Sequence, residues 1–163
     1  MEQIIATVRS FDGALVVVPA PGGDLPEIAW GDAFFSYAPD GRTPRRGQPY
    51  GTIVTKDYPD DTASDLDPPG RWRVNIDVDR PTFHELTGED PRTLTRPRDH
   101  TATDLVMPHP VYGALGWICV VNPAERTTDL VIRLLHHAHT TARTRSERHP
   151  NLRHDPGLMS WSP

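Results

Sequence analysis

The chain has 163 residues, the length of one ordinary domain, and its 18 prolines and 12 glycines predict many loops. Its 17 basic and 22 acidic residues give a formal net charge of −5. That charge argues against non-specific binding of duplex nucleic acid, which depends on neutralised phosphates. No apolar run approaches the roughly 20 residues that cross a bilayer. The single Cys119 excludes a disulfide framework, which fits a reducing cytoplasm. Together these features predict a cytoplasmic protein without a membrane segment.

The first half of the chain predicts one helix followed by strands. Ile4, Ile5, Val8 and Phe11 follow the spacing of one helical face, and Gly13 ends the helix. Runs of β-branched and aromatic residues between turn residues then predict strands at positions 14–18, 33–37 and 50–55.

The second half predicts two more strands and two helices. Trp72–Val78 alternates between apolar and polar residues, which is typical of a strand buried on one face only. Asp79 and Gly88 mark the ends of a short helix. Trp117–Val121 is apolar on both faces, as in a central strand. Thr127 is the expected N-cap of a last helix that runs to about position 145.

This order of elements predicts an α+β fold, an antiparallel sheet with the N- and C-terminal helices on one face. A repeating βαβ pattern with a glycine-rich phosphate loop is absent, which argues against a doubly wound nucleotide-binding fold. We expect a single domain at positions 1–145 and a flexible C-terminal tail at 146–163, where helical periodicity stops.

Several segments of the chain resemble a family of actinobacterial proteins known only as a domain of unknown function. The segments are PEIAWGDAFFSYAPDG (26–41), TIVTKDYPDD (52–61), GRWRVNI (70–76) and HPVYGALGWICVVNP (109–123). The resemblance covers about positions 1–145 and implies a fold and a taxonomic group, with no reaction and no cofactor. More distantly, the order of elements resembles the MmcQ/YjbR-like fold, which is similar to the frataxin-like layout.

An acidic loop follows the strand that ends near Thr55. Asp57, Asp60 and Asp61 are candidate ligands for a hard cation such as Ca²⁺ or Mg²⁺, although the spacing of a calcium-binding loop is absent. Alternatively, these side chains cap turns around the prolines of a solvated loop. Lys56 and Tyr58 lie beside them, and Lys56 either positions an anionic or carbonyl ligand or pairs with a neighbouring carboxylate.

His109 is the histidine that the sequence singles out. Pro108 and Pro110 restrict the backbone around it, and Tyr112 and Trp117 follow closely. A rigid imidazole beside aromatic residues is typical of a pocket with one polar contact, so His109 is expected to line a concave surface. An ordinary loop histidine bonded to a nearby carbonyl is the alternative.

The other histidines and the cysteine have simpler interpretations. His136 and His139 flank the apolar stripe of the last helix, and a metal site there would still need a third ligand. Cys119 lies within an apolar strand and is expected to be a buried, unreactive core residue.

These patterns leave three functional hypotheses. The first is a non-enzymatic module that binds a small molecule or a protein partner, with these candidate binding residues: Trp30, Lys56, Asp57, Tyr58, His109, Tyr112 and Trp117. The second is a metal-assisted or acid/base hydrolase that uses the 57–61 carboxylates with His84 or His109. The third is a nucleic-acid accessory protein, suggested by Arg42, Arg45 and Arg46 near aromatic residues. Oligomeric state is not predicted.

Overall fold

The computed structural model describes residues 1–150, which form a six-stranded antiparallel sheet and three α-helices. The helices are α1 (Glu2–Arg9), α2 (Arg80–Thr87) and α3 (Thr128–Arg148). The strands are β1 (Ala14–Val17), β2 (Ala33–Tyr37), β3 (Gly51–Val54), β4 (Arg73–Asp77), β5 (Met107–Pro108) and β6 (Trp117–Val121). They pair in the order β1-β2-β3-β4-β6-β5. The predicted α+β class is confirmed.

One face of the sheet packs against α1 and α3, and the apolar core lies between them. Val74 and Ile76 of β4 are fully buried in this core, together with Val131 and Leu135 of α3. Residues at every second position of a strand share a face, and residues three to four apart share a face of a helix. The apolar spacing in the sequence therefore accounts for this half of the molecule.

Helix α2 begins and ends where its capping residues predict. The Asp79 carboxylate accepts a hydrogen bond from the Thr82 amide at 2.8 Å, which satisfies one free donor of the first turn. Gly88 follows the last turn in the left-handed conformation, with φ of 74°, which glycine adopts at low cost.

Helix α3 begins where predicted, with Thr127 at the N-cap position, but the Thr127 side chain does not cap it. The Thr127 side chain makes no capping bond and instead donates to Asp104 Oδ1 at 2.6 Å. Asp104 also accepts from the amides of Ala124 and Arg126, at 2.8 and 3.0 Å. A carboxylate distant in sequence therefore organises the start of the helix, and local spacing could not identify it.

The last helix is longer than expected. It continues to Arg148, three residues past the predicted boundary at position 145. The rest of the predicted tail, 151–163, lies outside the described residues.

The prediction for strand β4 was wrong in one respect. Arg73 and Asn75, expected on a solvent-facing side, are only 1% and 3% exposed, so the strand is buried on both faces. The second face is covered by the loops 56–70 and 99–112, whose side chains contact it. The alternation of apolar and polar residues shows that the two faces of a strand differ, but it does not show whether the polar face is exposed to solvent or covered by loops.

Strand β5 was not predicted. It has two residues, Met107 and Pro108, and pairs with Cys119 and Ile118 of β6 at the edge of the sheet. A strand this short that contains proline lacks the alternation that marks longer strands.

Within residues 1–150, no helix has both the length and the apolar character needed to cross a bilayer.

Candidate functional site

A buried cluster around Arg73 lies on the loop-covered face of the sheet, and we call it the arginine cluster. Arg73 Nη1 donates to Asp61 Oδ1 at 3.1 Å and to Ser64 Oγ at 2.9 Å, and Nη2 donates to Asp61 Oδ2. Arg73 Nε donates to Asn75 Oδ1 at 2.7 Å, and Nη2 lies 3.1 Å from His109 Nε2. A buried guanidinium needs such partners because an isolated buried charge is very costly.

His109 closes this cluster and also shapes its own loop. Its Nδ1 accepts hydrogen bonds from the amides of Val111 and Tyr112, at 3.0 and 2.9 Å. Since Nδ1 is an acceptor, the proton of the neutral ring is on Nε2, which therefore faces Asp61 Oδ2 at 3.7 Å as a donor and does not accept a hydrogen bond from Arg73. Burial, reinforced by the Arg73 charge, lowers the pKa of His109 to about 3 despite the opposing charge of Asp61. His109 is thus a neutral structural link at physiological pH.

Asp61 is the acidic-loop residue that joins His109. Burial alone would raise its pKa, but the hydrogen bonds and charge of Arg73 hold the pKa of the Asp61 carboxyl below its ordinary value. Its side chain is 14% exposed, and it is the most exposed of the side chains within residues 1–150 that contact the Arg73 guanidinium. The carboxylate is a fixed partner of the guanidinium.

The other loop carboxylates hold turns. Asp57 Oδ1 accepts from the Leu66 amide at 2.8 Å, while Asp67 Oδ1 accepts from the Asp57 amide at 2.9 Å. Asp60 is exposed. No group of three or more His, Cys, Asp or Glu side chains in residues 1–150 is arranged to hold a metal ion.

A second buried cluster surrounds Asp32, which is fully buried just before β2, and we call it the aspartate cluster. Asp32 Oδ1 accepts from the Thr55 amide at 2.8 Å and from Lys56 Nζ at 3.1 Å, and Oδ2 accepts from the Tyr58 hydroxyl. Lys56 Nζ also donates to the Trp30 carbonyl at 2.8 Å. Burial and the bond to Asp32 raise the pKa of Tyr58 above its ordinary value.

The aspartate cluster includes three of the predicted candidates: Trp30, Lys56 and Tyr58. The Lys56 ammonium is engaged by Trp30, Asp32 and Thr55, which uses all three of its donors. The buried Nε1 of Trp30 has no hydrogen-bond partner within residues 1–150.

The turn 58–61 connects the two clusters. Tyr58 and Asp61 exchange backbone hydrogen bonds of 3.3 and 3.0 Å. The Tyr58 side chain reaches Asp32, and the Asp61 side chain reaches Arg73. The acidic loop is therefore fastened at this turn to one buried anion and one buried cation.

Beside the arginine cluster lies an exposed group that we call the apolar loop surface, made of Val111, Tyr112 and Leu115. Leu115 is 72% exposed, and the other two are 40% exposed. Tyr112 contacts the His109 ring, with ring centroids 5.0 Å apart. The predicted candidates His109 and Tyr112 therefore lie side by side. His109 is buried and bonded to the backbone of its own loop, whereas Tyr112 is exposed on the apolar loop surface.

Trp117, the remaining candidate, is partly buried at the start of β6, and its carbonyl accepts from the His109 amide at 2.9 Å.

Two shallow grooves lie on the C-terminal half of α3, and their lining includes Phe11, His136, His139 and Arg143 but none of the predicted binding residues. His139 is bonded to the Tyr50 hydroxyl at 3.0 Å. It is a structural residue of the helix-covered side.

Cys119 is 1% exposed, and burial raises the pKa of its thiol, so it matches the expected unreactive core cysteine.

Sequence reasoning missed Arg73 and Asp32, the two buried charges that organise the loops. The alternation of β4 placed Arg73 opposite the apolar core, which was a usable signal, whereas Asp32 had none.

The comparison with protein families gives a match over most of the chain. A family of unknown function (DUF6194) matches residues 1–151, and the chain belongs to this family. No curated protein and no solved structure matches the chain.

Proposed function

We propose that the protein is a non-enzymatic binding module that recognises another protein through the apolar loop surface. Seven large apolar side chains in residues 1–150 are exposed, and three of them lie within positions 111–115, in the turn between β5 and β6. Isolated exposed apolar residues are ordinary, whereas a concentration of them is typical of an interaction site. This concentration is the observation that carries the proposal.

The backbone beneath this surface is held in place before any partner binds. His109 fixes Val111 and Tyr112 through their amides, and its buried ring packs between Arg73 and Asp61. A surface that is already ordered loses less conformational entropy on binding, which increases affinity. The buried cluster therefore supports recognition without touching the partner.

A protein partner fits this surface better than a small molecule does. Small-molecule sites are concave, and the two grooves on α3 lie away from the loop. A catalytic role for His109 is disfavoured because general acid/base catalysis needs an accessible group with a pKa near the working pH. His84 is exposed on α2 and makes no side-chain hydrogen bond within residues 1–150.

The finer assignments of fold and origin are also proposals. We infer an MmcQ/YjbR-like arrangement from the order of elements: one helix, four strands, a helix, two strands and a last helix. A cytoplasmic, actinobacterial protein is supported by the single cysteine and by an arginine-rich composition in which Lys56 is the only lysine.

Site-specific crosslinking tests the proposed function. A photoreactive side chain at position 115 is expected to form an adduct with one other protein in extract of the source organism, and the same group at position 28 is the control because Ile28 is also exposed. The captured protein is then purified and its affinity measured with the unmodified chain and with Leu115→Ser. A loss of about tenfold or more supports the proposal.

Three outcomes would overturn it. Position 28 could give the same adduct, or the purified protein could bind Leu115→Ser as tightly as the unmodified chain. An adduct only with a second copy of the chain would instead identify a dimer interface.

A further inference from the structure

We propose that the apolar loop surface accepts an acidic, apolar segment of its protein partner, with an apolar side chain against Val111 and Leu115 and a carboxylate at Arg92. This inference rests on the proposed function and adds the chemistry of the partner. It is carried by the placement of Arg92, whose guanidinium makes no hydrogen bond or salt bridge within residues 1–150 and interacts with Asp90 through its charge, beside an exposed apolar group.

The apolar part is a single turn of 3-10 helix at Gly113–Leu115 that follows β5. The amide of Leu115 donates to the Tyr112 carbonyl at 3.0 Å, and the Gly113 amide donates to the His109 carbonyl at 2.9 Å. A Cβ at Gly113 would lie 3.1 Å from Pro108 Cβ and 3.2 Å from Leu94 Cδ1. The turn therefore packs closely on its support while Leu115 remains outside.

The charged part is a second 3-10 turn, Pro91–Thr93, which packs directly against the first. Its middle residue, Arg92, is exposed. The backbone amide of Arg92 donates to Asp90 Oδ1 at 2.9 Å, whereas its guanidinium forms no hydrogen bond or salt bridge within residues 1–150. Guanidinium groups bind carboxylates with two parallel hydrogen bonds, so a partner carboxylate is a suitable ligand.

The nearby carboxylates already have other partners. Asp90 is bonded to the Arg80 guanidinium. Glu89 accepts from Arg98 Nη2 at 2.8 Å and from the Thr95 amide at 2.9 Å. This part of the surface therefore offers a positive charge, although the whole chain carries a net charge of −5.

The same charge argues against a second copy of the chain as the occupant. A two-fold interface places the same patch on both sides, so the two Arg92 side chains would enter it without a free carboxylate nearby. Two copies with a net charge of −5 each would also repel one another at low ionic strength. An acidic segment of a different protein avoids both costs.

Selection from a displayed library of short random peptides tests the inference on the full chain. Peptides are selected on the unmodified chain alone, and their affinities for the variants are measured afterwards. We expect the recovered peptides to pair an apolar residue with Asp or Glu, and to bind at least about tenfold more weakly to Leu115→Glu and to Arg92→Glu. Binding should weaken as salt is added, because the carboxylate contact is exposed.

Ile28→Glu is the matched control, since it adds the same charge at an exposed apolar residue elsewhere, and its affinity should be unchanged. Recovered peptides that lack acidic residues and ignore Arg92→Glu would overturn the inference while leaving the proposed function intact. If every recovered peptide binds Leu115→Glu as well as the unmodified chain, or if none is recovered, both fail. Self-association of the chain that Leu115→Glu abolishes would identify a second copy as the occupant and also overturn the inference.

Discussion

At strand β4 the two faces of the sheet are almost equally buried, by different chemistry. On β4, Val74 and Ile76 face the helices with no exposed surface, and Arg73 and Asn75 face the loops with 1% and 3% exposed. The helix-covered face is held by apolar contact, which is non-directional and tolerates substitutions of similar volume. The loop-covered face is held by hydrogen bonds, each of which needs a particular partner at a particular distance.

The two kinds of contact have different roles: apolar burial stabilises the fold, and the hydrogen bonds determine where the loops lie. Apolar burial against α1 and α3 supplies a general driving force for folding. The arginine cluster fixes where the turn 58–61 and the loop around His109 lie, because a guanidinium with several partners admits few arrangements. The apolar loop surface is attached to this second face, so its geometry depends on polar contacts.

The strongest way to break the loop-covered face is to remove its central cation. Arg73→Met should lower the free energy of unfolding by about 3–5 kcal/mol, because it leaves the Asp61 charge and the other polar partners uncompensated. Urea denaturation measures the change. Arg73→Met combined with Asp61→Leu should recover part of the loss, since no unpaired charge then remains.

Arg92→Met provides the exposed control for that substitution and should change the free energy of unfolding by no more than about 0.5 kcal/mol. A loss below about 1 kcal/mol for Arg73→Met would show that the loops do not depend on the buried cation.

Adjacent aspartates sharpen the comparison within the acidic loop. Asp61→Asn should cost about 2–3 kcal/mol because it removes the charge that bonds to Arg73, while exposed Asp60→Asn should stay within about 0.5 kcal/mol. Thermal unfolding of both variants measures the difference. Equal effects at the two positions would mean that Asp61 does not hold the loop.

Acidification should weaken the loop-covered face through His109. The unfolded histidine has a pKa of about 6.5, whereas the folded value is about 3. Between these values the unfolded chain binds a proton that the folded chain does not, so stability is complete above about pH 6.5 and falls as pH is lowered. From about pH 7 to about pH 5, His109 should contribute a loss of about 2 kcal/mol.

Urea denaturation at the two pH values tests this, with His109→Gln expected to show a smaller loss on acidification than the unmodified chain. In NMR spectra, the His109 ring signals should not titrate down to about pH 5. A ring that becomes protonated above about pH 5 in the folded protein would contradict the buried neutral assignment.

The sequence predicted the helix-covered face well because that face depends on local patterns. Apolar spacing identified the strands 117–121 and 73–77, and capping residues placed both ends of α2. Such signals act over a few residues and can be recognised without knowing the tertiary structure.

The loop-covered face could be predicted only in part. His109 and the acidic loop were both selected, but their connection through Arg73 spans 36 positions in one direction and 12 in the other. Asp104 and Asp32 likewise act on residues 20 or more positions away. Hydrogen bonds of this kind leave no periodic pattern, so their partners became evident only in the folded chain.

The smallest expected effect is that of Leu115→Ala, and Leu135 on the other side of the sheet provides the contrast. Leu115 is 72% exposed on the apolar loop surface, and Leu135 of α3 is fully buried in the core against the sheet. Leu115→Ala should change the free energy of unfolding by no more than about 0.5 kcal/mol, whereas Leu135→Ala should cost about 2–5 kcal/mol through lost transfer energy and a cavity. Urea denaturation of both variants measures the contrast. A cost above about 1 kcal/mol at Leu115 would mean that this side chain packs within the folded chain, and its exposure would no longer argue for a partner.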